Sequence, residues 1–322
     1  MSSASDTLTV RVARKTHETA DICRFELVPQ MGASLPAFTA GAHIDVHVPD
    51  GPLRQYSLCN SPGETHRYEI GVLRAVSSRG GSSTLHARVK EGDVLTISSP
   101  RNHFPLRTAA HTLLVAGGIG VTPMLSMIEH LAKSGANFML HYCATQKDRM
   151  AFLQTLSAPG FRDKVLLHLD DGALDQRLDV DTALLPKHND ARLYVCGPHG
   201  FMQWITGAAL ERGWASERIH TEAFGPLPTA SSCSGAFEVI LKRTGDIYVI
   251  PPERSVASVL VEAGVDIALS CEAGICGTCV TSVLEGTPDH RDSFLTDEER
   301  GKNDRFTPCC SRACSTRLVI DL

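Results

Sequence analysis

The sequence of 322 residues predicts a multi-domain fold: an antiparallel β-barrel, then an α/β domain with a parallel sheet, then a small α+β domain. Three observations predict this order. The length exceeds what one hydrophobic core usually serves. The hydrophobic pattern changes at His111 from short alternating runs to strands that alternate with helices, and a small, polar stretch follows Gly225. The predicted divisions are residues 1–105, 106–226, a linker at 227–235, and 236–322.

The first region, up to about residue 104, consists of short β-branched or alternating runs separated by Gly and Pro turns. Runs of this kind are typical of a small antiparallel barrel, because every second side chain then faces one core. The predicted strands include Thr7–Val12, Asp21–Val28, His43–Val48 and Tyr68–Leu73.

The second region repeats an order of strand, turn and helix. An apolar strand leads into a glycine loop and then into a helix at Pro123–Lys133, which Gly135 closes. Strands that alternate with helices predict a parallel sheet covered on both faces. The predicted strands are Thr112–Ala116, Phe138–Cys143, Val165–Leu169, Arg192–Val195 and Arg218–Ala223, with further helices near Met150–Leu156 and Phe201–Arg212.

The third region follows the linker and is the smallest. It begins with two strand-like runs, Phe237–Lys242 and Ile247–Ile250, after which Ser255 is suited to start a short helix. A cysteine-rich loop comes next. These signals predict a compact α+β domain that is organised around its cysteines.

Composition and charge exclude several classes of protein. Hydrophobic residues make up 43% and charged residues 21%, which is an ordinary globular profile. The sequence has no run of about 18 apolar residues and no signal-peptide pattern at its start, so we expect a cytoplasmic protein without a membrane anchor. From Ser234 onward there are 9 Lys and Arg against 14 Asp and Glu. This acidic surplus argues against nucleic acid; it either docks on a basic partner or forms an ordinary solvated face.

Cysteines carry the strongest signal. Without an export signal, the 11 cysteines are expected to be reduced thiols, metal ligands or catalytic groups before they are disulfides. Cys271, Cys276, Cys279 and Cys309 have the spacing of a plant-type [2Fe-2S] site, and Gly274 would let the loop curl around it. A zinc site or unliganded core cysteines are the alternatives, although zinc favours two separated pairs. Cys310 or Cys314 could replace Cys309, and Cys23, Cys59, Cys143 and Cys233 are interpreted as structural.

A glycine turn between the first strand and helix of the second region predicts a phosphate-binding site. The free N–H groups and positive dipole end of a helix attract a pyrophosphate, and glycines allow its close approach. Pro123 suits the first helical turn and Thr122 the cap. The full dinucleotide-binding fingerprint is absent, so a tight turn without a ligand is the alternative. The predicted contacts are Gly117, Gly118, Gly120, Thr122 and Pro123.

Two further groups are expected at the same edge of the sheet, where the strands end. Cys196-Gly197-Pro198 follows a strand and precedes a helix, and ligands of parallel sheets bind at such carboxyl ends. Asp170 and Asp171 follow another strand. A carboxylate there would bind the adenosine hydroxyls and repel a 2′-phosphate, which favours NADH over NADPH, although ordinary surface turns have the same composition.

Two stretches of the first region predict a flavin site. Arg54 and Tyr56 lie on one face of a predicted strand and Ser57 on the other. An Arg can clamp a phosphate, a Tyr can cover a ring system, and a hydroxyl can bond a flavin nitrogen. The second stretch, a possible phosphate-binding nest or a simple flexible turn, contains Arg79, Gly80, Gly81 and Ser82.

The order of these motifs resembles the phthalate dioxygenase reductase family, which includes the vanillate demethylase reductase type, across nearly the whole chain. The resemblance implies an FMN barrel, an NADH domain and a C-terminal plant-type ferredoxin domain. It also implies that Arg54 holds the FMN phosphate, that Cys196 lies near the nicotinamide, and that Phe224 lies against the flavin. By this analogy the protein is a monomer that forms a transient complex with a Rieske-type oxygenase acting on an aromatic compound.

The chemistry of the carriers supports the same order. Nicotinamide gives up two electrons as hydride, whereas an iron–sulfur cluster accepts one at a time, and a flavin can stand between them. No side-chain acid or base is required for that exchange, so the residues expected at the reacting centre are Ser57, Cys196 and Phe224. The alternatives are a reductase for another monooxygenase or a separate ferredoxin, and a non-enzymatic iron–sulfur carrier or sensor.

Overall fold

The computed structural model describes residues 7–32, 34–75, 80–185, 190–225, 233, 235–269, 271–292 and 294–322. The chain forms two compact units, Met1–Glu222 and Ala223–Leu322. The predicted boundary after residue 105 falls inside the first unit. Most of the predicted linker at 227–235 lies outside the described residues, so both boundaries stay predictions.

The predicted barrel is confirmed. Its six strands form an antiparallel sheet in the order β4-β3-β6-β1-β2-β5. A further bridge between Leu58, just after β4, and Ile70 in β5 joins the two edges of this sheet and closes the barrel. The strands are β1 Thr7–His17, β2 Ile22–Pro29, β3 His43–His47, β4 Leu53–Ser57, β5 Tyr68–Leu73 and β6 Val94–Ser98, with helix α1 at Gly81–Arg88 before β6.

The predicted parallel sheet is also confirmed, in the order β11-β10-β7-β8-β9. The order reverses between β7 and β10, which is where ligands bind in sheets of this kind. Its strands are β7 His111–Gly117, β8 Phe138–Ala144, β9 Val165–Leu169, β10 Ala191–Cys196 and β11 Ile219–Glu222, and its helices are α2 Val121–Lys133, α3 Leu153–Leu156, α4 Val180–Ala183 and α5 His199–Glu211.

The barrel has a hydrophobic core of its own, and the core of the parallel sheet extends onto a few barrel residues, which helps to explain why the two form a single unit. Helix α2 buries its apolar face, including Met124 and Met127, in a cluster that also contains Ile22, Cys59 and Phe104. Burial of such side chains is the main favourable term in folding. The barrel is therefore held in a fixed position relative to the edge of the sheet where the strands end.

The second unit is a five-stranded mixed sheet with a short extra pair. The sheet order is β13-β12-β18-β14-β16, and β15 pairs with β17. Ser255 begins helix α6 as predicted, because its hydroxyl accepts a hydrogen bond from Ser258 N at 3.1 Å. The elements are β12 Phe237–Leu241, β13 Ile247–Ile250, α6 Val256–Glu262, β14 Thr281–Glu285, β15 Pro288–Asp289, α7 Asp297–Lys302, β16 Arg305–Phe306, β17 Arg312–Ala313 and β18 Arg317–Ile320.

Within the described part of the chain, none of these helices has both the length and the apolar character that a membrane crossing requires.

Candidate cofactor-binding sites

The two glycine turns of the parallel sheet lie side by side, because they follow the neighbouring strands β7 and β10. A Cβ at Gly120 would overlap the carbonyl oxygen of Cys196, and a Cβ at Gly197 would lie 3.1 Å from the Gly117 Cα. Glycine is needed at these positions so that the two turns can touch. The predicted pairing of the turns therefore has a packing reason in addition to any ligand.

The predicted cap of helix α2 is wrong. A short 3₁₀ turn at Gly118–Gly120 runs directly into the helix, so α2 begins at Val121 and is preceded by Gly120, which has no side chain to act as a cap. Thr122 is buried inside the first turn, where its hydroxyl donates to Ile119 O at 2.9 Å. Pro123 does lie in the first turn, as expected. Val121 N already donates to Gly118 O and Ile119 O, so this end of the helix offers a ligand the positive end of its dipole without a side-chain cap.

A cleft of about 270 Å³ opens beside these turns. Gly117, Gly118 and Pro198 line it, and so does Asp170. Both acidic residues are exposed, and their backbone N–H groups donate to Ala144 O at 3.1 Å and to Thr145 O at 3.2 Å; Asp170 lines the cleft and Asp171 does not. Arg149 and Phe201 are among the lining residues that sequence reasoning missed.

A buried group that sequence reasoning also missed joins the barrel to the nucleotide edge. Ser57, at the end of β4, donates a hydrogen bond to Glu222 Oε2 at 3.4 Å. Glu222 ends β11 and lies opposite Cys196 in the strand pairing. Desolvation of the carboxyl group raises the pKa of Glu222 to about 8, and burial raises the pKa of the Cys196 thiol. Two predicted residues, Ser57 and Cys196, thus flank a carboxyl whose pKa is raised.

The predicted phosphate groups of the barrel come together at the start of α1. Any Cβ at Gly81 would lie 2.8 Å from Arg54 Cγ, so the Arg54 stem crosses the first residue of the helix. Gly80 precedes it with φ 100°. A guanidinium beside the positive N-terminal end of a helix is suited to a phosphate, so FMN fits this site. Ser82 Oγ accepts from Ala75 N at 3.1 Å, and Arg79 lies outside the described residues.

Two aromatic residues predicted for the flavin have different environments. Tyr56 packs against the barrel core, and burial raises the pKa of its hydroxyl. Phe224 belongs to the second unit and is 44% exposed. The proposed contact of Phe224 with the flavin stays a prediction.

The cysteine loop has the local geometry that a cluster needs. Gly274 and Gly277 have φ values of 72° and 69°, a left-handed backbone that glycine adopts without penalty. The curl of the loop points the backbone N–H groups of Ala273 and Ile275 at Cys271 Sγ, each at 3.4 Å. Such donors stabilise sulfur ligands of an iron–sulfur cluster.

The four predicted ligands form two thiol pairs. Hydrogen bonding from Cys271 lowers the pKa of Cys276 to about 5, and hydrogen bonding from Cys309 lowers the pKa of Cys279. Within each pair the neighbouring thiol lowers the pKa of one member, and thiolate is the form that binds metal. Cys276, Cys279 and Cys309 are buried, and four thiols are the donor set that a [2Fe-2S] cluster takes. Among the described residues the thiols lie as two pairs, and no group of three or more metal-binding side chains is gathered closely enough to hold a metal ion.

The expectation that all cysteines are reduced is wrong for one pair. Cys314 forms a disulfide with Cys233, which removes Cys314 as an alternative ligand. Cys310 lies beside the loop, with its sulfur 3.3 Å from Thr307 Oγ1. Because the thiol of Cys309 is the one that bonds Cys279, the geometry favours Cys309 over Cys310.

Comparisons with known families match both halves of this arrangement. Residues 114–206 match the oxidoreductase NAD-binding domain, and residues 239–317 match the 2Fe-2S iron-sulfur cluster binding domain. The chain is 49% identical to a vanillate O-demethylase oxidoreductase of Pseudomonas putida over 97% of this chain and 98% of the relative.

Solved structures extend the likeness to the whole chain. A structure of phthalate dioxygenase reductase, described as modular for electron transfer from pyridine nucleotides to [2Fe-2S], has a TM-score of 0.78 at 39% identity and covers 98% of both chains. An intact type IV self-sufficient cytochrome P450 monooxygenase has a TM-score of 0.82 at 32% identity, over 98% of this chain but 41% of that one. This chain belongs to the phthalate dioxygenase reductase family, as an NADH-dependent oxidoreductase with FMN, NADH and [2Fe-2S] sites.

Proposed function

We propose that this protein is the reductase component of a Rieske-type oxygenase system that hydroxylates or demethylates an aromatic compound of the vanillate or phthalate kind. The observation that carries the proposal is the four-thiol loop in the same chain as the flavin-type barrel and the nucleotide edge. The likeness to vanillate O-demethylase oxidoreductase over nearly the whole of both chains supports the choice of acceptor. When bound, FMN takes two electrons from NADH and passes them singly to the cluster.

In the flavin site, each residue has a proposed task. Arg54 and the start of α1, including Gly80, Gly81 and Ser82, hold the FMN phosphate, with Arg79 nearby in sequence. Tyr56 covers the ring system. Ser57 hydrogen-bonds the flavin from the strand end, and its bond to Glu222 fixes the orientation of the hydroxyl.

In the nucleotide cleft, the start of α2 after β7 and the turn after β10 hold the NADH pyrophosphate. Cys196, buried at the end of β10, lies near the nicotinamide in this proposal, and Phe224 lies against the flavin where the nicotinamide must enter. Asp170 lines the cleft and is proposed to bind the adenosine hydroxyls; Asp171 contributes negative charge from the surface.

The partner is proposed to dock on the acidic C-terminal region and to leave after electron transfer. The sequence from Ser234 onward contains 14 acidic residues and 9 basic ones. Complementary charge speeds encounter more than it strengthens a complex, which suits a carrier that must dissociate. We further propose that the protein is a cytoplasmic monomer.

Visible spectroscopy of the anaerobic protein tests the proposal. The oxidised protein should show flavin absorbance overlaid with a broad cluster absorbance, and NADH should bleach both. Addition of the oxygenase component of a vanillate demethylase with vanillate should then make NADH consumption depend on that substrate. A spectrum that NADH leaves unchanged would overturn the reductase function, whereas bleaching without coupling would overturn only the partner.

A second acceptor is supported by one comparison. The cytochrome P450 monooxygenase structure carries a region like this chain within a longer protein, so a P450-type monooxygenase is the alternative partner. Reduction of that haem domain by the NADH-reduced protein, at a rate above that of the vanillate system, would favour this alternative.

A further inference from the structure

The Cys233–Cys314 disulfide stands apart from the cluster thiols. It joins two residues that are 81 positions apart and lies wholly within the second unit. The ring that it closes contains all four predicted cluster ligands, from Cys271 to Cys309. Opening or closing this bond therefore changes the freedom of the whole segment that holds the cluster.

Both ends of this ring are held by contacts that do not depend on the sulfur bond. Cys314 N donates to Thr287 O at 2.9 Å, and the carbonyl oxygen of Cys233 accepts from Arg291 Nη2 at 3.2 Å. The neighbouring β17 pairs with β15, with Ala313 opposite Pro288. The two sulfurs therefore stay close after the bond is broken, and the same bond can form again.

The two sulfurs also differ in access from the cluster thiols. Cys314 is exposed and Cys233 is half-buried, whereas Cys276, Cys279 and Cys309 are buried. Exposed disulfides are the ones that cellular thiols reduce. A thiolate can attack the Cys314 sulfur and displace the Cys233 thiolate, which takes up a proton.

A second thiolate then attacks the mixed disulfide and releases Cys314, so the reductant is oxidised to a disulfide and the protein gains two thiols. Glutathione, as two molecules, or a protein dithiol supplies the two electrons and two protons. Closure is the reverse exchange, in which glutathione disulfide or a protein disulfide takes up two electrons and two protons and is reduced to thiols. The chain's own cofactors have no part in this exchange.

We propose that Cys233 and Cys314 form a reversible thiol–disulfide modification site, and that its oxidised state slows the loss of iron from the cluster. Cys309 lies only five positions before Cys314. For Cys309 to leave the cluster, the segment after it must loosen, and the bond to Cys233 restrains that segment at its far end. Reduction removes the restraint while it leaves the four ligands unchanged.

The first measurement is alkylation of the anaerobic holoprotein followed by mass spectrometry. Cys233 and Cys314 should resist alkylation in the oxidised protein and should both react after treatment with glutathione. Free thiols at both positions in protein that was isolated under oxidising conditions would overturn the proposal.

The second measurement is the rate at which cluster absorbance is lost to an iron chelator. Glutathione should speed this loss roughly tenfold in the natural protein, because the local opening becomes easier. Cys314→Ser and Cys233→Ser should lose iron at the fast rate with or without glutathione.

Cys59→Ala is the matched control, because Cys59 is a buried thiol of the first unit. It should keep the slow rate and the response to glutathione. Equal rates for the oxidised natural protein and for both serine variants would overturn the protective role, and a glutathione response that survives in Cys314→Ser would assign the effect to another thiol.

Discussion

The turn after β7 and the cysteine loop both need glycine for two reasons, a left-handed backbone and a close contact that leaves no room for a Cβ. In the turn the two reasons apply to different glycines, whereas in the loop they apply to the same ones. In the turn, Gly118 has φ 55° and open space around its Cα, while Gly117 and Gly120 make the close contacts with ordinary backbone angles. In the loop, Gly274 and Gly277 meet both demands at once: each has a left-handed backbone, and any Cβ would overlap Cys310 or Phe294. A substitution in the nucleotide turn can therefore disturb either the left-handed backbone or the close contact alone, whereas a substitution of Gly274 or Gly277 disturbs both.

The largest effect is expected in the loop, from Cys279→Ser. A hydroxyl is a poor iron ligand, so the cluster should be lost completely. The first unit has its own core and should still pass electrons from NADH to ferricyanide, so we expect cluster absorbance to vanish while this activity stays.

Cys310→Ser is the control for that change, since Cys310 lies beside the loop without serving as a ligand in our interpretation. It should keep the cluster spectrum. Loss of the cluster in Cys310→Ser but not in Cys309→Ser would reverse the assignment of the fourth ligand.

The next largest effect is expected in the turn, from Gly120→Ala. The added methyl overlaps the Cys196 carbonyl and pushes the two turns apart, which should cost about 1–3 kcal/mol of stability and weaken NADH binding. In Gly118→Ala the added methyl enters open space, so only the left-handed backbone is unfavourable, which should lower the stability by about 1 kcal/mol.

Thermal unfolding and the KM for NADH of these two variants test whether the close contact at Gly120 matters more than the left-handed backbone at Gly118. A larger loss in Gly118→Ala than in Gly120→Ala would show that backbone conformation, and not contact between the turns, limits this site.

Arg54→Ala addresses the anion site at the start of α1. Loss of a charged hydrogen-bonding group should weaken FMN binding roughly 10- to 100-fold, as measured by release of flavin on dilution. Arg88→Ala removes an exposed guanidinium from the other end of the same helix and should retain FMN. Equal retention in both variants would remove Arg54 from the site.

The smallest effect is expected from Glu222→Gln. The pKa of Glu222 is about 8 in the folded protein, above its usual value of 4.5. The stability that the bound proton provides is therefore complete at pH values below the unfolded-state pKa. It is lost as the pH rises through the folded-state pKa. The melting temperature of the natural protein should therefore fall between about pH 5 and about pH 8, and the Gln variant should fall less.

Glu217→Gln changes an exposed carboxylate near the same strand and should keep the natural pH profile. A Glu222→Gln profile that matches it would mean that the carboxyl titrates normally in the folded chain.

The sequence predicted sites whose residues are close in the chain or lie at the ends of parallel strands. Cys271, Cys276 and Cys279 were identified by spacing, and the turn at Cys196 by its place after a strand. Glu222 was missed because its importance comes from its contact with Ser57, which is 165 positions away in the sequence. The same limit applies to the disulfide, whose partners are 81 positions apart.

The fourth ligand and the helix cap show a second limit, which is local. Cys309 and Cys310 are neighbours, and only the direction of the side chains separates them. Thr122 has the composition of a cap, but a 3₁₀ turn starts the helix earlier and buries it. Patterns of residue type predict a helix, a strand or a loop, but they do not predict the direction in which one side chain points.

The position of strand β18 has a consequence for how the second unit is assembled. It lies between β12 and β14, so the strand that comes last joins the strand that comes first to the rest of the sheet. Pairing across so long a separation slows folding, because the entropy of closing the chain is lost before the contacts form. We therefore expect iron to be inserted late, after β18 has paired with β12. A truncation before Arg317 should give a polypeptide that does not bind the cluster and lacks its absorbance.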